Sequence, residues 1–98
     1  MDSQERKARK KAWRSEQRAE ARAKFPLPQE ALRGLFDWLD VELGRRECDR
    51  SLRLVRAWAA LNDMEPGRLT EWLNENGGFC DCEALGNVEQ AFEEARGE

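Results

Sequence analysis

The sequence predicts an all-α protein, a small bundle of four short helices preceded by a basic, helical N-terminal arm. From residue 28 onward, apolar residues recur at intervals of three and four, which is typical of one buried helix face. No stretch shows the alternating pattern of a strand between turns. Residues 1–24 carry nine Lys and Arg against four Asp and Glu, whereas residues 25–98 carry eight against sixteen. This contrast predicts a basic arm over 1–24 and an acidic globular domain over 25–98.

The arm is rich in Ala, Glu, Arg and Lys, which favour a helix. Pro26 and Pro28 end this segment, because each lacks a backbone donor and disfavours the helical conformation of the residue before it. Basic residues form a stripe along one face of this predicted helix. The basic stripe can bind an anionic partner, either a nucleic acid or an acidic protein, and Trp13 can anchor that contact. The alternative is a solvated arm, or one that packs on the acidic domain of its own chain. The stripe spans about 80° of a helical wheel and comprises Lys7, Lys11, Arg14, Arg18 and Arg22.

The first two helices of the domain are predicted from apolar spacing and end signals. Pro28 suits the first turn of one helix, and Gly44 is placed to end it. The next helix is expected to start near Asp49 or Ser51, either of which can cap it. The predicted buried face of the first is Leu32, Leu35, Phe36, Leu39 and Leu43, and the two apolar faces of the second are Leu52, Val55 and Ala59 with Leu54, Trp58 and Leu61.

Two further helices complete the predicted bundle. Pro66 suits the first turn of the third, and Asn76-Gly77-Gly78 is a strong stop signal. Asp81 is expected to cap the fourth helix from its own N-terminus, with Glu83 complementing the helix dipole. Their inward-facing residues are predicted to be Leu69, Trp72 and Leu73 in the third helix and Leu85, Val88 and Phe92 in the fourth.

Composition narrows the function classes. The chain has no histidine, which excludes imidazole bases, Cys-His pairs and His-based metal sites, and no catalytic residue set is predicted. The sequence therefore favours a protein that is not an enzyme. No apolar run approaches the roughly 18 residues of a membrane span. Three cysteines, an odd number, cannot form a closed disulfide framework, and we expect a reducing, cytoplasmic location.

The cysteines mark the most distinctive candidate site. Cys80 and Cys82 lie one residue apart at a predicted helix start, and Cys48 lies just before another. If the two helix starts meet, three thiolates converge, and thiolates are ligands that zinc accepts. Three interpretations stay open: small residues that stabilise turns, a zinc site, or redox-reactive thiols. With three cysteines, the fourth zinc ligand would have to be Asp49, Asp81, Glu83 or water.

A longer motif surrounds these cysteines. The run Gly77-Gly78-Phe79-Cys80-Asp81-Cys82-Glu83-Ala84-Leu85, followed by Asn87-Val88, resembles a bacterial family known only as domain of unknown function 2695. The resemblance extends upstream to Cys48-Asp49, Ser51-Leu52-Arg53, Trp58 and Phe25-Pro26-Leu27, and covers roughly residues 20–90. It implies that relatives often carry His where this chain has Arg50, which would complete a set of three Cys and one His. The family implies no activity, substrate or partner.

These observations lead to two functional predictions. The first is a small, non-enzymatic helical interaction or adaptor protein of the bacterial cytoplasm that uses its basic arm. The alternative is a thiol-based protein that binds zinc or responds to redox change through its cysteines. Trp38 and Val41 lie off the predicted buried stripe and could also serve a homodimer.

Overall fold

The computed structural model describes the backbone of residues 3–96 and the side chains of residues 13–96. Within residues 3–96 all regular structure is helical, which confirms the all-α prediction. None of these helices combines the length and the apolar character that crossing a bilayer requires. The helices are α1 (Ser3–Ala23), α2 (Gln29–Leu43), α3 (Arg53–Leu61), α4 (Pro66–Glu75) and α5 (residues 81–96, composed of Asp81–Glu83, a π-helical turn at Ala84–Val88, and Glu89–Arg96).

Helix α2 follows its predicted boundaries. The carbonyl of Pro28 accepts hydrogen bonds from the N–H groups of Ala31 and Leu32 at 3.0 and 3.1 Å. Because proline has no backbone N–H, it begins the helix without leaving a donor unpaired. Gly44 donates to the carbonyl of Asp40 and closes the last turn. Val41 lies on the opposite face and is exposed. The buried stripe of α2 is Leu32, Leu35, Phe36 and Leu39, with Leu43 partly buried.

Helix α3 begins later than predicted, at Arg53 rather than near Asp49 or Ser51. Its N-cap is Leu52, whose side chain offers no acceptor, and the predicted capping residue Ser51 accepts only from the N–H of Arg53, at 3.3 Å. Both predicted apolar faces are buried except at Leu61, which is 74% exposed. Leu61 is the last residue of α3, where the chain turns into Asn62 and leaves the core.

Helix α4 and its ends agree with the stop and start signals. The Glu65 side chain accepts from the N–H of Gly67 at 3.0 Å, and Pro66 occupies the first turn. Leu69, Trp72 and Leu73 are buried, as their spacing predicts. After Asn76, Gly77 adopts a φ of +88°, the left-handed conformation that glycine tolerates best, and the chain reverses toward α5.

Helix α5 packs across the core. Val88 and Phe92 are fully buried, as predicted, and Phe92 lies 5.5 Å from Phe36 between ring centroids. Ala84 is also fully buried, whereas Leu85 is only half-buried against the core. The π-helical turn at Ala84–Val88 explains the difference, because a π turn adds a residue and rotates the face that meets the core.

Helix α1 lies against the C-terminal half of α5. The Arg22 guanidinium donates to the carbonyl of Ala95 at 2.7 Å. Phe25, just after α1, packs edge-on against Trp72 at 5.8 Å and contacts Phe92 at 5.3 Å between ring centroids. The end of α1 is therefore fixed to the core by one charged hydrogen bond and an aromatic cluster.

Candidate thiol site

The structure brings the three cysteines together at the N-terminal end of α5. Cys48 lies in the loop between α2 and α3, Cys80 immediately precedes α5, and Cys82 lies in its first turn. The Asp81 N–H donates to the Ser51 carbonyl at 3.0 Å, which places Cys80 and Cys82 beside the loop of Cys48, and Cys48 interacts electrostatically with both. All three are free thiols; Cys48 and Cys80 are half-buried and Cys82 is exposed. The cluster therefore combines proximity with access from solvent.

Asp81, between the two neighbouring cysteines, explains why these segments meet. Its side chain is fully buried, and its two oxygens accept from the N–H groups of Leu54 and Val55, each at 3.1 Å. Its own N–H donates to the carbonyl of Ser51 at 3.0 Å. Asp81 thus caps α3 from far along the chain by accepting from Leu54 and Val55, whereas Ser51 serves only the N–H of Arg53.

This arrangement corrects the prediction that Asp81 caps its own helix. The N-cap position of α5 is Cys80, and no side chain caps that helix start. A negative charge near the start of α3 also complements its helix dipole. Burial raises the pKa of Asp81, and the hydrogen bonds from Leu54 and Val55 oppose that rise. The signal that could have revealed this role is indirect: the N-cap residue of α3, Leu52, has no acceptor side chain.

The loop that carries Cys48 is held in a defined shape. Asp49 accepts from the backbone N–H and the hydroxyl of Ser51, at 3.0 and 2.6 Å. Arg50 adopts a left-handed φ of 67° and directs its N–H at the Cys48 sulfur, 3.4 Å away. Arg53 lies 3.6 Å from the Asp49 carboxylate. The loop therefore presents Cys48 through local hydrogen bonds that use most of the acceptor capacity of Asp49.

The three thiols differ in acidity. Hydrogen bonding from the Cys82 backbone N–H lowers the pKa of Cys48, the Arg50 N–H adds to this effect, and burial opposes it. The Cys82 thiol hydrogen-bonds to Cys48 in turn, and this, with burial and the neighbouring negative charges, raises the pKa of Cys82 to about 11. Burial raises the pKa of Cys80, and the Cys48 and Glu83 side chains add to the rise. Cys48 is therefore the thiol that ionises first.

The carboxylates proposed as a fourth zinc ligand do not fit that role. Both oxygens of Asp81 are used by α3, and Asp49 is used by Ser51. Glu83 is exposed and lies beside Cys80 rather than at a shared centre. Among the side chains of residues 13–96, no group of three or more Cys, Asp or Glu is arranged to hold a metal ion. The zinc site that the cysteine pattern suggested is therefore not supported by the structure.

The predicted arm residues lie at the other end of α5. Trp13 is 61% exposed and Arg14 is exposed, whereas Arg18 is half-buried. Arg22 is engaged with Ala95. The side chains of Lys7 and Lys11 lie outside the described residues. An open groove of about 560 Å³ runs between α1 and α5 and is lined by Trp13, Arg14, Gln17, Arg18, Ala21, Ala91, Glu94 and Ala95.

Comparison with known proteins assigns the chain to a family. The model of the family described as a protein of unknown function, DUF2695, matches residues 35–87. The chain belongs to the DUF2695 family. This DUF2695 chain is also 35% identical, over 88 residues, to uncharacterised proteins of Mycobacterium bovis and Mycobacterium tuberculosis, covering 90% of this chain and 89% of each relative. No solved structure matches it.

The family assignment confirms the resemblance predicted from the sequence. The DUF2695 match includes all three cysteines and Asp81, and it lies outside α1. The segment that the family model matches therefore contains the thiol cluster, whereas the alignment with the mycobacterial relatives also extends into the basic stripe.

Proposed function

We propose that this DUF2695 protein is a non-enzymatic, redox-responsive thiol protein of the bacterial cytoplasm, in which Cys48 is the thiol that reacts first. The observation that carries the proposal is the convergence of three free, solvent-accessible thiols around Cys48. Two backbone N–H groups, those of Cys82 and Arg50, are directed at its sulfur and favour the thiolate. Reactive thiols require this combination of exposure and a stabilised anion.

The chemistry requires a hydroperoxide as oxidant. The Cys48 thiolate attacks one peroxide oxygen, the O–O bond breaks, and the leaving oxygen takes up a proton to become water or an alcohol. Cys48 is then a sulfenic acid. A neighbouring thiol attacks that sulfur, the S–O bond breaks, and a disulfide forms with release of water. Cys80 and Cys82, on either side of Asp81, are the two thiols that can take the second step, and both interact with Cys48.

The direct test is oxidation of the reduced chain with limiting hydrogen peroxide, followed by intact mass and thiol counting. We expect loss of two hydrogen atoms and two free thiols per chain. Cys48→Ser should abolish this change, and Cys80→Ser should retain it as the matched control. The proposal is contradicted if Cys48→Ser forms the disulfide as fast as the parent chain, or if the parent chain is not oxidised. Stoichiometric zinc that is lost on Cys48→Ser would also overturn it, in favour of a metal site.

The adaptor function remains a second candidate because of the exposed arm. Trp13 and Arg14 lie on α1 beside the open groove, where an aromatic ring and a cation can contact an anionic partner. Trp38 is half-buried and Val41 is exposed, so a homodimer contact along α2 is part of this candidate.

The adaptor candidate is tested by replacing Lys7, Lys11 and Arg14 with Glu while keeping Arg22, which is engaged with Ala95. Binding to a labelled single-stranded oligonucleotide and to polyglutamate should fall steeply, with a steep salt dependence in the parent chain. Control replacements at Arg45 and Arg68, which lie elsewhere, should leave binding unchanged. Absence of binding to both probes by the parent chain would reject the candidate. Sedimentation of the parent chain tests the homodimer.

A further inference from the structure

The loop that carries Cys48 and the first turn of α5 are already joined by Asp81. The Asp81 N–H binds the Ser51 carbonyl, and its carboxylate binds the N–H groups of Leu54 and Val55. We infer that oxidation joins Cys48 to Cys82 and that this disulfide locks the Asp81 bridge, so that oxidation tightens the fold at the start of α3. This inference rests on the proposed redox function and names its regulatory consequence.

The choice of Cys82 over Cys80 follows from the placement of the two side chains. Cys82 is exposed and follows Asp81, which binds the Ser51 carbonyl, and its interaction with Cys48 is the leading influence on the pKa of both thiols. Cys80 is half-buried and interacts with Glu83 as well as with Cys48. A disulfide between Cys80 and Cys82 is unfavourable, because residues two apart at a helix start do not face each other and the ring would be strained.

The expected effect of a bond between Cys48 and Cys82 follows from what it encloses. The bond closes a loop of about 34 residues that contains α3 and α4. It bridges the same two segments that Asp81 holds by hydrogen bonds, so it opposes any opening that separates α5 from the start of α3. Amide exchange at Leu54 and Val55 reports that opening directly, because their N–H groups are the donors to Asp81.

The experiment has two readouts on the full chain. Peptide mapping of the peroxide-oxidised protein identifies the pair, and hydrogen exchange compares Leu54 and Val55 in the reduced and oxidised forms. We expect a Cys48–Cys82 disulfide and exchange slowed on the order of 100-fold in the oxidised form. Cys80→Ser should behave as the parent chain does. Cys82→Ser should lose the slowing even where it forms a Cys48–Cys80 pair.

The two proposals fail in different ways. If no disulfide forms, the redox function itself is wrong. If a disulfide forms but maps to Cys48–Cys80, or if it leaves exchange at Leu54 and Val55 unchanged, only the locking inference is wrong. A Cys80–Cys82 disulfide would also contradict the role of Cys48 in the proposed function. Oxidation of the parent chain with diamide gives the same comparison without any substitution.

Discussion

The two ends of α5 are held to the rest of the protein by different kinds of interaction. At its N-terminal end, the buried carboxylate of Asp81 accepts two backbone hydrogen bonds from α3. At its C-terminal end, α1 is attached by Arg22 bonding to the Ala95 carbonyl and by Phe25 packing on Phe92. The first contact satisfies donors that have no other partner, whereas the second adds a charged hydrogen bond and apolar contact to a helix end.

The difference shows that charge alone does not indicate a role. Asp81 is one of many carboxylates in an acidic domain, but it is fully buried and organises a helix start. Arg14 and Arg22 belong to one sequence stripe, but Arg14 is exposed and Arg22 is a structural donor. Burial and the partner atom decide what each charge does.

The largest effect is expected when the contact at the N-terminal end of α5 is removed. Asp81→Ala removes both acceptors and leaves the N–H groups of Leu54 and Val55 buried without partners. We expect a loss of about 3 kcal/mol in the free energy of unfolding, measured by urea denaturation. Asp37→Ala, at an exposed position of α2, should change it by less than about 0.5 kcal/mol. A loss at Asp81 no larger than at Asp37 would contradict the capping role.

The next-largest effect is expected at Gly78, where the backbone lies close to α5. A Cβ at Gly78 would lie 2.8 Å from Val88 Cγ2 and 3.2 Å from Ala84 Cα and the Leu73 carbonyl. Gly78→Ala should therefore destabilise the protein by about 2 kcal/mol in thermal or urea unfolding. Gly34→Ala is the matched control, because nothing lies within 4 Å of its Cβ in α2. It should stabilise the helix by about 0.5–1 kcal/mol. A Gly78→Ala variant as stable as the parent chain would contradict this packing.

A third prediction concerns the pH dependence of the thiols. The pKa of Cys48 is lowered from 9.0, whereas that of Cys82 is raised to about 11, so Cys48 carries more thiolate at pH 8. The lower intrinsic nucleophilicity of a more acidic thiolate offsets part of this advantage, and we expect Cys48 to be alkylated about tenfold faster. The ratio should narrow as the pH rises toward 11. Iodoacetamide labelling with peptide mapping measures both rates; faster labelling of Cys82 at pH 8 would reverse the assignment.

The smallest effect separates two arginines of the basic stripe. Arg22→Ala removes the hydrogen bond to Ala95 and should lower the free energy of unfolding by about 1 kcal/mol. Arg14→Ala replaces an exposed member of the same stripe and should change the free energy of unfolding by less than about 0.5 kcal/mol. Equal losses in urea denaturation would show that the stripe acts as a unit rather than through Arg22.

Local patterns in the sequence were sufficient for most of the fold. The spacing of Leu32, Leu35, Phe36 and Leu39 predicted the buried face of α2, and Pro66 predicted the first turn of α4. Such patterns work because a helix repeats every 3.6 residues and its ends depend on neighbouring residues. They were less successful at the π-helical turn, where Ala84 is fully buried and the predicted Leu85 is only partly buried against the core.

The sequence by itself determined that the protein is helical, where most helices lie and which residue types could react. Only the tertiary structure decided that Asp81 caps α3 instead of α5 or a metal, and that Cys48 is the thiol with the lowered pKa. The physical reason is distance along the chain: Asp81 lies 26 and 27 residues from the donors that it binds. No local spacing encodes such a partner, because packing of α3 against α5 creates the contact.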